Sequence, residues 1–124
     1  MPSSSSNSAR IYSLDREGVL DQLREAAESL LDDDPRVRRV LLFGSVARDD
    51  ATAASDADVV VLFEGPDDRR VMDRALDFGP PFEDVDLQTD VLAYTLGEWD
   101  ELLDSDSPFH QRADREALEL ARRS

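Results

Sequence analysis

The sequence predicts an α/β domain in which a small mixed sheet of at least three strands is covered by helices. Three observations support this fold class. Apolar runs at 37–43 and 56–63 end in turn residues, which is typical of buried strands. Residues 85–94 alternate between apolar and polar side chains, as in a strand with one buried face. Residues 13–31 repeat apolar side chains at helical spacing, which predicts an amphipathic helix.

The beginning of the chain is expected to lie outside the fold. Residues 1–12 are rich in serine and lack apolar periodicity, so we expect a disordered tail before a single domain over 13–124. Ser13 or Asp15 can cap the first helix, and Pro35 ends it. The three aspartates before that proline are interpreted as a solvated helix end rather than a metal site.

The middle of the chain predicts a second helix. It is expected near residues 67–78, after the turn at 64–67, and the run Gly79-Pro80-Pro81 ends it. Its predicted core face consists of Val71, Met72, Ala75 and Leu76.

The last third predicts a strand followed by two helices. Thr95 and Glu98, after the strand at 85–94, have the spacing of a capping box, and the short helix that follows carries Trp99, Leu102 and Leu103 into the core. Pro108 is expected to open a last helix, with Arg122 and Arg123 near its end, where cations suit the helix dipole. Its predicted inner stripe consists of Phe109, Ala113, Ala117 and Leu120.

The charge balance is strongly acidic. There are 29 acidic and 14 basic residues, a net charge of −15, and every basic residue is arginine. Such a surface is typical of halophilic adaptation; a docking surface for a basic partner is the alternative. Direct nucleic-acid binding is disfavoured because no basic stripe is present. The absence of cysteine, of a membrane-length apolar run and of a signal peptide favours a cytoplasmic protein without membrane contact.

Two motifs concentrate the chemistry. An apolar strand ends in Gly44-Ser45, and a second apolar strand opens with Asp56 and Asp58. Alternate residues of a strand share a face, so these two aspartates project to the same side, about 6.7 Å apart along the backbone. Two carboxylates so placed repel each other, and a bound divalent cation is the usual reason to keep them. If the strands are antiparallel neighbours, the Gly-Ser turn faces the aspartates.

This pattern resembles the minimal nucleotidyltransferases of the DNA polymerase beta-like nucleotidyltransferase superfamily. The family combines a hydrophobic strand, Gly-Ser, a turn with arginine and then Asp-x-Asp at the start of a second strand. The resemblance extends over about residues 37–121, and Asp49 departs from it because the family more often has glycine there. The matching positions are Gly44, Ser45, Ala47, Arg48, Ser55, Asp56 and Asp58.

A third carboxylate of the family lies on a later strand, where this chain offers Asp86 and Asp90. Asp90 is preferred, because the segment from Asp90 through Tyr94-Thr95 to Glu98 resembles the stretch in which the family's aspartate opens the strand. The alternative is that both are exposed strand residues of an acidic protein.

The resemblance implies a magnesium-dependent nucleotidyltransferase with ATP as substrate. Asp56, Asp58 and Asp90 would hold two Mg²⁺ ions, and Asp90 would also act as general base. Gly44 and Ser45 would hold the β- and γ-phosphates, with Ser55 at the nucleotide. Arg48 would offset triphosphate charge; alternatively it forms a surface ion pair with a neighbouring aspartate.

The resemblance also implies a biological role. The minimal nucleotidyltransferase would be the antitoxin of a two-gene toxin–antitoxin pair, transferring AMP to a tyrosine of a helical ribonuclease toxin with the HEPN fold. One alternative is a non-catalytic antitoxin that binds its partner. Another is a small-molecule nucleotidyltransferase, which usually needs an additional substrate domain. Self-association stays open.

Overall fold

The computed structural model describes residues 16–43, 57–71, 73–104 and 117–123. Its helices and strands confirm the predicted α/β class. In chain order they are helix α1 (Arg16–Asp33), strands β1 (Val37–Phe43) and β2 (Ala57–Phe63), the one-turn helix α2 (Ala75–Phe78), a 3₁₀ turn (Pro80–Phe82), strand β3 (Thr89–Thr95), helix α3 (Leu96–Asp104) and strand β4 (Leu118–Arg122).

The four strands form one mixed sheet in the order β3-β2-β1-β4. Strand β1 runs antiparallel to both β2 and β4, whereas β2 and β3 run parallel. The bounds of β1 are those that its apolar run predicts. In β2 every residue is buried except Asp58, which is partly exposed. The polar exception therefore marks one end of an otherwise buried strand.

Two hydrophobic cores lie on opposite faces of the sheet. The larger one packs α1, whose Leu23 and Ala27 are fully buried, against the face of β2 that carries Val59 and Val61. The smaller one lies on the other face, where Trp99 of α3 covers Leu41, Val60 and Leu62. Each fully buried leucine or valine side chain stabilises the fold by about 1.5–3 kcal/mol. Both faces of the central strands are therefore dry, as their apolar runs predict.

The helix predicted near residues 67–78 is wrong in extent, because α2 begins only at Ala75. The residues before it form turns and polar contacts: the Asp67 carboxylate accepts the Arg69 N–H, and the Asp67 carbonyl accepts the Arg74 side chain. The predicted core face is wrong at Leu76, which is 83 % exposed while Phe78 is buried. Val71 and Ala75 are half-buried, and Met72 lies outside the described residues.

The alternation predicts that β3 begins at residue 85, whereas the strand begins at Thr89. Its partner β2 starts at Ala57, which pairs with Thr89, and within the described part of the chain no strand pairs with the residues before Thr89. The backbone N–H of Asp86 instead donates to the side chain of Gln22 on α1. Alternation identifies the two faces correctly, but the length of the partner strand sets where β3 starts.

The predicted last helix is wrong at its end, where Leu118–Arg122 forms strand β4. Pairing with the open edge of β1 overrides the helical spacing of these residues. The side chain of Arg123 donates to the carbonyls of Val37 and Leu31, and thus caps the end of α1 rather than that of its own segment. The positions Pro108, Phe109 and Ala113 lie outside the described residues.

The proposed tail at 1–12 and the candidate caps Ser13 and Asp15 also lie outside the described residues. The capping box is present: the Thr95 N–H donates to Glu98 Oε1 at 2.8 Å, and the Glu98 N–H donates to Thr95 Oγ1 at 3.1 Å. Within the described ranges, no helix is long and apolar enough to cross a membrane.

Candidate functional site

The candidate site lies at the end of the sheet where β1 ends and β2 and β3 begin. Phe43, the last residue of β1, pairs with Asp58 of β2, and Asp58 pairs with Asp90 of β3. The sequence predicts that the end of the first apolar strand meets the start of the second, and the antiparallel pairing of β1 and β2 confirms it. The two described carboxylates thus lie on adjacent strands in the same row.

Asp58 and Asp90 project from the same face of the sheet. Paired residues of neighbouring strands share a face, and residues two apart along a strand share it too. This face carries Val60 and Leu62 of β2 and Leu92 of β3, all of which belong to the smaller core beneath α3. Asp58 is partly exposed and Asp90 is exposed, so the row passes from a dry interior to solvent at the carboxylates.

Asp86, the alternative third carboxylate, lies apart from this row. It precedes β3 and is exposed. Its Oδ2 accepts a hydrogen bond from Gln22 Nε2 at 2.9 Å, and its backbone N–H donates to Gln22 Oε1 at 2.8 Å. These contacts fasten Asp86 to α1, on the face of the sheet opposite α3. The geometry thus brings Asp90, and not Asp86, into register with Asp58.

The other predicted site residues, Gly44, Ser45, Arg48, Ser55 and Asp56, lie outside the described residues. The described residues on either side of them, Phe43 and Ala57, are both adjacent to Asp58. Within the described ranges, no three His, Cys, Asp or Glu side chains are grouped as a metal site. Two carboxylates in one row are nevertheless the oxygen donors that a hard cation such as Mg²⁺ prefers.

At its other end, β3 leads into a paired charge cluster that the sequence did not reveal. Arg74 is only 2 % exposed, and its guanidinium donates to both carboxylate oxygens of Glu98, at 2.6 and 3.0 Å. It also donates to the carbonyls of Ala93 and Asp67. No local pattern signals this cluster, because the partners of Arg74 come from elements that are distant in sequence.

The pKa values of this cluster follow from its hydrogen bonds. The hydrogen bond from Arg74 is the largest cause that lowers the pKa of Glu98 from 4.5 to about 2, and the Thr95 N–H adds to the effect. The same pair raises the pKa of Arg74. Arg74 and Glu98 both stay charged at neutral pH and pair with each other. This pairing indicates a structural role for the cluster.

The chain is similar to known nucleotidyltransferases both in sequence and in structure. The sequence profile described as "Nucleotidyltransferase domain" matches residues 21–116. No curated protein matches the chain. Among solved structures, the crystal structure of a "putative nucleotidyltransferase" from Sulfolobus solfataricus is similar to this one with a TM-score of 0.57 and 27 % identity, covering 69 % of this chain and 75 % of that chain. The chain therefore belongs to the nucleotidyltransferase domain family.

Proposed function

We propose that this chain is a magnesium-dependent enzyme that transfers AMP from ATP to a hydroxyl group of a protein. Family membership supplies the reaction class, nucleotidyl transfer from a nucleoside triphosphate. The observation that supports a catalytic centre is the register of Asp58 with Asp90, on one face, next to the described residues on either side of the segment that carries the Gly-Ser turn.

The donors fit magnesium. Asp58 and Asp90 offer carboxylate oxygens from neighbouring strands, and Asp56 precedes Asp58 by two residues. These three carboxylates would hold the metal. When bound, Mg²⁺ would neutralise charge that develops on the phosphoryl oxygens and the leaving group. The fit depends on the chemistry of the side chains, since hard cations prefer oxygen ligands.

The chain's own residues would bring the reactants together. Asp90 would accept the proton of the acceptor hydroxyl group while the oxygen of that hydroxyl group bonds to the α-phosphorus of ATP. The bond from that phosphorus to the bridging oxygen breaks at the same time, and pyrophosphate leaves. Gly44 and Ser45 would hold the β- and γ-phosphates through backbone N–H groups, while Arg48 and Ser55 would contact the nucleotide.

The acceptor that we propose is a HEPN-type ribonuclease toxin, which this chain would silence as the antitoxin. The resemblance of the Asp90–Glu98 segment and of the two upstream motifs to minimal nucleotidyltransferases supports this role. We also propose a single domain over residues 13–124.

Labelled ATP tests the proposal. The chain, Mg²⁺ and the protein encoded by the neighbouring gene are incubated with ATP labelled at either the α- or the γ-phosphate. Only the α-label should enter the partner protein. Asp90→Ala should abolish transfer and retain ATP binding, because the carboxylate acts mainly in the transition state.

Asp86→Ala is the matched control, since Asp86 is an equally exposed aspartate four residues away that contacts Gln22 instead. It should stay active. The opposite pattern would assign the base to Asp86. If an Asp56→Ala/Asp58→Ala double variant silences the partner fully, the protein acts by binding and the enzymatic proposal fails.

A further inference from the structure

One half of the outer edge of β3 is open. Among the strands that the structure describes, β3 is the last on its side of the sheet. The Ala57 N–H donates to the Gln88 carbonyl, which fixes the direction of the parallel ladder. The backbone groups of Asp90, Leu92 and Tyr94 therefore point toward β2. The groups that point outward belong to Thr89, Val91, Ala93 and Thr95.

The second half of this edge is closed by the cluster around Arg74. The Ala93 carbonyl accepts a hydrogen bond from Arg74 Nη1, and the Thr95 N–H donates to Glu98. The first half differs. Within residues 16–43, 57–71, 73–104 and 117–123, the outward backbone groups of Thr89 and Val91 and the Ala93 N–H have no hydrogen-bond partner.

The opposite edge of the sheet is protected in ways that β3 is not. Strand β4 has only five residues, its register with β1 shifts between Val40 and Leu41, and Glu119 on it forms ion pairs with Arg39 and Arg122. Short length, irregular register and charge all discourage pairing with another chain. Strand β3 has seven residues in unbroken register and carries no arginine or proline. Its open half is suited to accept a strand.

The open half is also the half that carries Asp90. We infer that an extended, basic segment of the acceptor protein pairs with β3 along Thr89–Ala93 and presents its hydroxyl side chain to Asp90. A residue of the added strand beside Asp90 would share its face, with Cβ atoms roughly 4.5–5.5 Å apart. Backbone hydrogen bonds would supply affinity, and the side chains of the α3 face would supply selectivity. This inference rests on the proposed transfer to a protein.

Charge favours this occupant over a second copy of the chain. The net charge of −15 attracts a basic segment and repels another copy. Asp90, exposed at the edge, adds a negative charge where the segment would lie.

Hydrogen–deuterium exchange of the wild-type chain tests the inference. The added molecule is a synthetic peptide that alternates valine and arginine around one central tyrosine. Exchange of the Val91 and Ala93 amides should slow roughly tenfold at saturation, whereas amides that already bond within the sheet should not change. The same peptide with an N-methyl group on every residue has no amide N–H on either edge, so it cannot form the ladder and should protect neither amide. Equal protection by both peptides, or none by either, would overturn the inference.

A proline variant provides a second measurement. Val91→Pro removes an outward N–H without removing a bond to β2, and proline is tolerated on strand edges. The Kd of the peptide should rise roughly fivefold to tenfold. Arg122→Pro is the matched control on β4: the Arg123 N–H donates to the Arg38 carbonyl, so the adjacent Arg122 N–H points away from β1. It should leave peptide binding unchanged. Equal weakening in both variants would overturn the inference.

These measurements can contradict peptide docking without contradicting the proposed reaction, and the reverse. AMP transfer to the peptide's tyrosine without protection of Val91 would overturn the docking site and leave the transferase intact. Protection of Val91 without any AMP transfer to protein or peptide would support the docking site and contradict the proposed reaction. Protection that grows with protein concentration in the absence of peptide would identify a second copy as the occupant and overturn the inference.

Discussion

Two acidic side chains lie at opposite ends of β3, and the protein surrounds them differently. Asp90 is exposed near the start of the strand, in register with a second carboxylate, and within the described residues it makes no ion pair. Glu98 follows the end of the strand and is held by Arg74 and the capping box. A carboxylate matched by arginine contributes stability, whereas two carboxylates in one row are oxygen donors of the kind that a divalent cation prefers.

The matched end is part of a longer chain of ion pairs. Arg69 joins Asp67 to Asp77, and Arg36 joins Asp77 to the end of α1 at Asp34. The guanidinium of Arg36 also lies 5.2 Å from the centroid of the Phe78 ring. Within the described residues, this chain of ion pairs lies at the end of β3 opposite Asp90.

Removing the buried arginine should have the largest effect on stability. Arg74→Met would leave the partly buried Glu98 without its main partner and should lower the free energy of unfolding by about 3 kcal/mol. Chemical denaturation measures it. Arg70→Met removes an exposed arginine paired only with Asp73 and should change stability by less than about 0.5 kcal/mol. Equal losses of unfolding free energy in the two variants would show that the burial of Arg74 adds nothing to its contribution to stability.

Adding metal should stabilise the end of the sheet that carries Asp58 and Asp90. At tenfold excess over its Kd, Mg²⁺ with ATP should raise the free energy of unfolding by about 1.4 kcal/mol, because the ligands bind only the folded chain. Thermal melts at constant ionic strength measure the shift. Asp58→Asn should reduce it strongly and Asp86→Asn should not. A shift that survives both Asp58→Asn and Asp56→Asn would place the metal elsewhere.

Acid should weaken the matched end. The pKa of Glu98 is about 2 in the folded protein against 4.5 ordinarily, so its stabilising effect is complete above pH 4.5 and is lost as the pH falls toward 2. After allowance for solvent screening, the loss should be about 1 kcal/mol. Hydrogen bonds from arginine also lower the pKa values of Asp34 and Asp77, and their loss has the same sign.

Unfolding measured across this pH range checks the prediction, with Glu98→Gln as the control. The variant keeps a side-chain acceptor for the Thr95 N–H but cannot titrate, so its stability should fall less steeply with acid. Parallel curves for the wild type and the variant would contradict the role of Glu98.

Salt should have the smallest net effect on stability, because it acts in opposite directions at the two ends of β3. Screening relieves repulsion among acidic groups and weakens the exposed arginine pairs. With a net charge of −15, relief should prevail, and the melting temperature should rise by several degrees between about 0.1 M and 3 M KCl. An unchanged melting temperature over this range would contradict halophilic adaptation.

Sequence patterns predicted the features that depend on near neighbours. The bounds of β1 and the capping box at Thr95 and Glu98 were both predicted, because apolar runs and short spacings report them directly. The candidate site was predicted as a pair of motifs. For the third carboxylate of the site, the sequence favoured Asp90 but did not exclude Asp86. The sequence of one strand contains no information on its register with another strand.

Features that depend on distant partners were missed. The segment Leu118–Arg122 has helical spacing but becomes a strand because β1 offers an open edge. The helix expected from residue 67 is shortened by contacts of Asp67 with Arg69 and Arg74. Strand pairing with β1 outweighs local propensity in the first case, and side-chain contacts over two and seven residues do so in the second.

The position of β4 has a consequence for how the chain folds. Its contacts close very long loops: Arg123 reaches the carbonyl of Leu31 across 92 residues of sequence, whereas β1 and β2 are close along the chain. Loop closure of that length is slow, so we expect β4 to dock last. Until it does, the apolar edge of β1 can pair with another molecule. The hazard of aggregation therefore belongs to a short interval during folding, and refolding yield should fall as protein concentration rises.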